Sequence, residues 1–69
     1  MEELSRRTLY ANYKWLYEEN LKAHERCLGL IKQYRTEGRM GWAAYWLELA
    51  THHYKMARTY KRSMKYYAS

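Results

Sequence analysis

Apolar residues recur at steps of three and four along nearly the whole chain, and the recurrence is broken once. From Leu4 to Tyr34, with residues set 100° apart, Leu9, Tyr13, Leu16, Cys27, Ile31 and Tyr34 fall on one narrow stripe. Tyr10, Tyr17, Leu21 and Leu28 widen that stripe on one side, Ala23 and Leu30 on the other. The resulting arc covers roughly half the circumference, whereas a single neighbouring helix needs only about 100°. The width therefore predicts two neighbours. A second stripe runs through Trp42, Trp46, Leu49, His53, Met56, Tyr60, Met64 and Tyr67 without interruption. Its spacing resembles a short coiled-coil seam with more aromatic residues than a leucine pattern carries.

The break between the stripes is Gly38-Arg39-Met40-Gly41. The chain has no proline, so only glycine marks an end. Gly38 is placed to close a helix in the left-handed conformation, and Arg35 in the last turn suits the negative end of the helix dipole. Gly29 interrupts the first pattern at a cost of about 1 kcal/mol relative to alanine. The second helix lacks a Ser, Thr, Asp or Asn cap. The expected architecture is all-α: one domain over 1–69, with a helix over about 4–37, a turn over 38–41 and a helix over about 42–67, folded as an antiparallel hairpin. The surplus arc predicts that two hairpins pair into a four-helix bundle, most simply as a C2 homodimer.

Folding the stripes about Gly38 gives a register in which facing position numbers sum to about 77. Tyr34 then faces Trp42 and Ala43, Ile31 faces Trp46, and Cys27 meets Leu49 and Ala50. His24 meets His53, Asn20 meets Met56 and Ala57, and Tyr17 meets Tyr60. The spacing of Leu30, Tyr34, Gly38, Ala43 and Ala50 resembles that of the tetratricopeptide-repeat helix pair over less than half of the chain. Lys55 stands where that family has its closing proline, and both helices are longer. The resemblance implies a shared helix-turn-helix packing solution rather than membership.

Composition adds constraints. A chain of 69 residues is one domain at most and has little core to bury. Cys27 is the only cysteine, which excludes an internal disulfide and fits a reducing compartment. No apolar run approaches the ~20 residues that span a bilayer, and the charges of Met1–Arg7 precede no apolar stretch, so the expectation is a cytoplasmic protein without a secretory signal. Nine Tyr and three Trp, with no Phe, suit positions that are apolar at one end and wet at the other.

Candidate chemistry is sparse. His24 and Cys27 share a helical face and the register brings His53 near, a set that would leave zinc an open position. The simpler reading makes the histidines seam-edge residues and Cys27 a small core hydrophobe, so no metal or other cofactor is expected. Glu48 and His52, like Glu18 with Lys22, Glu2 with Arg6 and Glu3 with Arg7, have the spacing of routine surface pairs. Ser5, Ser63 and Ser69 have no positioned base. No enzyme activity and no small-molecule substrate are expected. Asn20, central in the first apolar arc, is a candidate for fixing register or oligomeric state, and Asn20→Leu is then expected to raise stability.

The formal net charge of +6 is concentrated late in the chain. Lys55, Arg58, Lys61, Arg62 and Lys65 follow one another with no acidic residue after Glu48. Such a surface repels itself and is relieved by an anionic partner; Tyr54 and Tyr66 beside it would stack on bases. The register adds Arg6, Arg7 and Lys14 at the same end. Trp15, Leu47 and Tyr54 are expected opposite the seam, where Trp15 and Leu47, with Trp42, Trp46, Tyr17 and Tyr60, are candidate interface residues. Glu18, Glu19, Glu25 and Glu48 on the polar faces argue against a membrane surface. Two functions follow: a small non-enzymatic interaction module, regulator or adaptor, of a size that suits a phage or mobile-element accessory protein; or a nucleic-acid-binding protein using the basic helix.

Overall fold

The protein is described by a computed structural model covering residues 5–68. Two helices, α1 (Arg6–Thr36) and α2 (Met40–Tyr66), pack against each other as a hairpin. Leu4, where the apolar pattern begins, lies outside the described residues, as do Glu2 and Glu3 of the expected Arg6 and Arg7 pairs and Ser69. Ser5 caps α1: its backbone is extended and its Oγ accepts from the Thr8 amide at 3.1 Å, satisfying one of the orphan donors of the first turn.

The turn follows from Gly38. With φ at 74°, it is the described residue at positive φ, and the hydrogen bonds around it form a Schellman closure. The Gly38 amide donates to the Arg35 carbonyl at 3.0 Å and the Arg39 amide to the Tyr34 carbonyl at 2.8 Å. The Arg39 guanidinium lies over the Tyr34 ring, 5.5 Å from its centroid. Substituting Gly38→Ala forces a Cβ into the left-handed region although space around it is free, so the cost is local strain. We expect about 1 kcal/mol of lost stability in denaturant titration; an unchanged midpoint would mean that the turn relaxes to another conformation. Arg39, the residue before α2, makes no side-chain capping bond, as the sequence implied.

The interface has an alanine spine. Ala43, Ala50 and Ala57 lie seven residues apart on α2 and are its buried residues. On α1 the buried residues are Cys27 and Ile31. Cys27, Ile31 and Ala50 form the core cluster, with Trp46 and Leu49 packed against it. Small side chains facing large ones let the helices interdigitate. The seam therefore centres on alanine, and the large residues read as the second stripe flank it.

The expected level holds at Cys27–Ala50 and Tyr34–Trp42, whereas His53 and Tyr60 each meet a residue one turn earlier on α1 than expected. Tyr34 stacks on Trp42 at 6.1 Å. Tyr13 lies between Tyr60, at 6.1 Å, and Tyr67, at 5.8 Å, so Tyr60 takes Tyr13 rather than Tyr17 as its ring partner. His53 bonds to Asn20, while His24 packs on Tyr54 at 5.6 Å. One position sum therefore does not serve both sides of the seam, because His53 and Tyr54, adjacent on α2, diverge by about 100° and meet different levels of α1. Lys22 pairs with Glu19 at 3.5 Å rather than with Glu18, an exposed contact worth little. No helix among the described residues is long and apolar enough to cross a membrane.

Candidate interaction surfaces

Two heptad series on α2 border the alanine spine and give the hairpin unlike faces. On one side Trp46, His53, Tyr60 and Tyr67 reach across to α1. Trp46 packs on the core cluster, His53 meets Asn20, and Tyr60 and Tyr67 flank Tyr13. Trp42, Tyr45 and Trp46 continue this side as a run of edge-to-face rings. Bridging side chains close the seam here. The Trp46 indole N–H is buried without a partner, so Trp46 serves packing and offers no polar tip to a ligand.

On the other side the series is Leu47, Tyr54 and Lys61, and the seam stays open. Ala50 is in the floor of an apolar groove of about 270 Å³ whose walls are His24, Leu28, Leu47, Thr51 and Tyr54. Leu47 and Tyr54 were expected opposite the seam; they line its open edge instead, each about half exposed. A difference of about one residue position, or 100°, in helical phase separates the two placements, and only the position of the spine decides between them. Trp15 does lie out in solvent, at 60% exposure. Tyr17 and Tyr60 are partly buried, and Trp42 is half exposed.

The Asn20–His53 contact is a polar bond within the seam. Asn20 Nδ2 donates to the Leu16 carbonyl at 2.8 Å, which leaves Oδ1 facing His53 Nδ1 at 2.9 Å. An amide oxygen only accepts, so His53 Nδ1 carries the hydrogen. His53 is thus turned toward Asn20, and His24 is turned onto Tyr54. Among the described residues no group of three His, Cys, Asp or Glu side chains is placed to hold a metal ion. Cys27 is a buried free thiol.

The basic candidates lie on the open-end half of α2. Lys55, Arg58, Lys61, Arg62 and Lys65 are all exposed. The ion pairs found among the described residues are Lys22–Glu19 and Arg39–Glu37, so none of these cations has an acidic partner there. Lys55, Arg58, Arg62 and Lys65 follow steps of three, four and three and form one ridge. Arg6 joins this end: its Nη2 donates to the Tyr66 carbonyl at 2.7 Å, and its guanidinium lies 5.4 Å from the Tyr66 and Tyr67 ring centroids. Tyr66 is 67% exposed, while Tyr54 is committed to His24 and the groove. No protein-family model matches the chain, and no curated protein or solved structure is significantly similar to it.

Proposed function

We propose that the protein is a small non-enzymatic helical interaction module, a cytoplasmic regulator or adaptor of the kind a phage or mobile element carries. In this reading it works as two hairpins paired into a homodimeric four-helix bundle. The observation that carries the reading is the mismatch between the apolar content of the hairpin and what one copy buries. The Cα radius of gyration is 15.8 Å, against about 11 Å for a compact domain of this length. Leu28, Trp42, Tyr45, Leu47 and Tyr54 remain about half exposed. A partner that covers them supplies the missing core. A reducing cytoplasm suits the free Cys27 thiol.

The ridge of cations without acidic partners among the described residues favours one second reading, binding of nucleic acid along α2. Light scattering at low and high salt, with and without a mixed oligonucleotide, separates the two. The interaction module predicts a salt-resistant dimer whose mass ignores the oligonucleotide. A salt-sensitive gain in mass on adding it, lost in Arg58→Glu/Arg62→Glu, would replace the first reading by the second.

A further inference from the structure

We infer that the open groove at Leu28, Leu47 and Tyr54 is the self-pairing face, and that a second copy packs on it antiparallel, about a two-fold axis perpendicular to the helices. This rests on the homodimer reading and adds to it the face, the occupant and the direction.

Area points to a partner of this size. A monomer of 8.6 kDa is expected to expose about 4,700 Å². The hairpin exposes 5673 Å². The surplus of about 1,000 Å² matches the ~800 Å² that each partner contributes to a standard stable interface. A peptide or small ligand would cover only part of it.

The side of the seam follows from the unlike flanks. Trp46, His53, Tyr60 and Tyr67 already fill one side with contacts to α1, whereas the other is a trough with Ala50 in its floor. None of the residues lining the trough is an Asp, Glu, Lys or Arg. In a C2 interface each residue near the axis meets its own copy, so a trough without such charges avoids like-charge contact. Tyr17 and Leu21 on α1 extend the same side, both partly buried in one copy.

Charge selects the direction. The two-fold axis of a face-to-face pair lies in the interface plane, either along the helices or across them. An axis along the helices sets Arg58, Lys61 and Lys65 of one copy at the level of the same residues in the other, where like charges repel. An axis across the helices at the groove keeps them apart. Arg62 lies about 18 Å along α2 from Ala50, so its two copies separate by about 36 Å. Both basic ends then stay at the extremities of the bundle, free for an anionic partner.

The test is site-directed crosslinking of the full chain with a short bifunctional maleimide, beside light scattering of each protein. Thr51→Cys in the groove is expected to crosslink efficiently, and Arg62→Cys on the same helix is not. Wild type, with Cys27 buried, is the background control. Leu47→Glu, which enters the interface twice, is expected to weaken dimerisation at least ~100-fold while the helix content of the monomer persists. Efficient linking of Arg62→Cys would overturn the antiparallel direction. A wild-type dimer that resists Leu47→Glu, with no linking of Thr51→Cys, would move pairing to another face and leave the interaction module standing. A wild-type monomer at all concentrations would overturn both this inference and the homodimer on which it rests.

Discussion

Ala57→Leu is expected to be the most damaging conservative change available in the hairpin. Ala57 is 2% exposed and continues the buried spine of Ala43 and Ala50. A leucine there adds three carbon atoms to a seam filled on one flank by Tyr13, Asn20, His53 and Tyr60. The helices must separate or neighbouring side chains must leave their rotamers. Overpacking of this kind costs about 1–3 kcal/mol, and the upper end applies because the hairpin has one seam and no second layer to absorb the shift. A domain of this length has roughly 3–10 kcal/mol in all. The melting midpoint is expected to fall by roughly 10–20 °C at fixed protein concentration. Ala11→Leu, on the exposed side of α1, should stay within about 0.5 kcal/mol of wild type and controls for composition. A variant at position 57 that melts with wild type would show that the seam is not close-packed at that level.

The same spine explains what was legible in the sequence. Helix content, the glycine break and the pairing levels nearest the turn follow from period and from Gly38, because these depend on local chemistry. The Cys27–Ala50 contact and the Tyr34–Trp42 stack were both expected from the register. The centre of the second interface was harder to read. Large residues dominate the apolar stripe of α2, yet the axis of contact runs through Ala43, Ala50 and Ala57, which pattern analysis ranks below Trp and Leu. Their exact seven-residue repeat was the available signal. Misplacing that centre by one position turns Leu47 and Tyr54 from groove walls into residues of the opposite face. His24 and His53, expected to meet each other, instead take Tyr54 and Asn20 as partners. The Ser5 cap is short-range and was readable in principle, since a serine stands just before the helical pattern. The basic ridge was fully legible, because like charges without acidic neighbours need no tertiary information. What such a ridge would bind is not written in the chain, because contacts from exposed cations to an anion require no particular local geometry.

Asn20→Leu is expected to lower stability, contrary to the expectation from sequence, and the reason is His53. A lone asparagine in an apolar arc loses little when replaced by leucine. This one holds a partner: its Oδ1 accepts the His53 Nδ1 hydrogen at 2.9 Å within the partly buried seam. Leucine leaves that donor unpaired, a loss of about 1–2 kcal/mol. Replacing both residues removes donor and acceptor together and substitutes apolar contact, so Asn20→Leu/His53→Leu should regain most of the stability and forms a double-mutant cycle with each single variant. The coupling is expected to fall within about 0.5–3 kcal/mol, the range for groups in direct contact. Near-zero coupling in denaturant titration would show that the bond contributes nothing in solution. The double variant also tests specificity. The Asn20–His53 bond fixes one axial alignment of α1 on α2, whereas leucines tolerate neighbouring alignments and pairings. Light scattering of the double variant should therefore show a spread of masses although its stability exceeds that of Asn20→Leu. A single uniform mass equal to that of wild type would assign register to the alanine spine and the Gly38 turn alone.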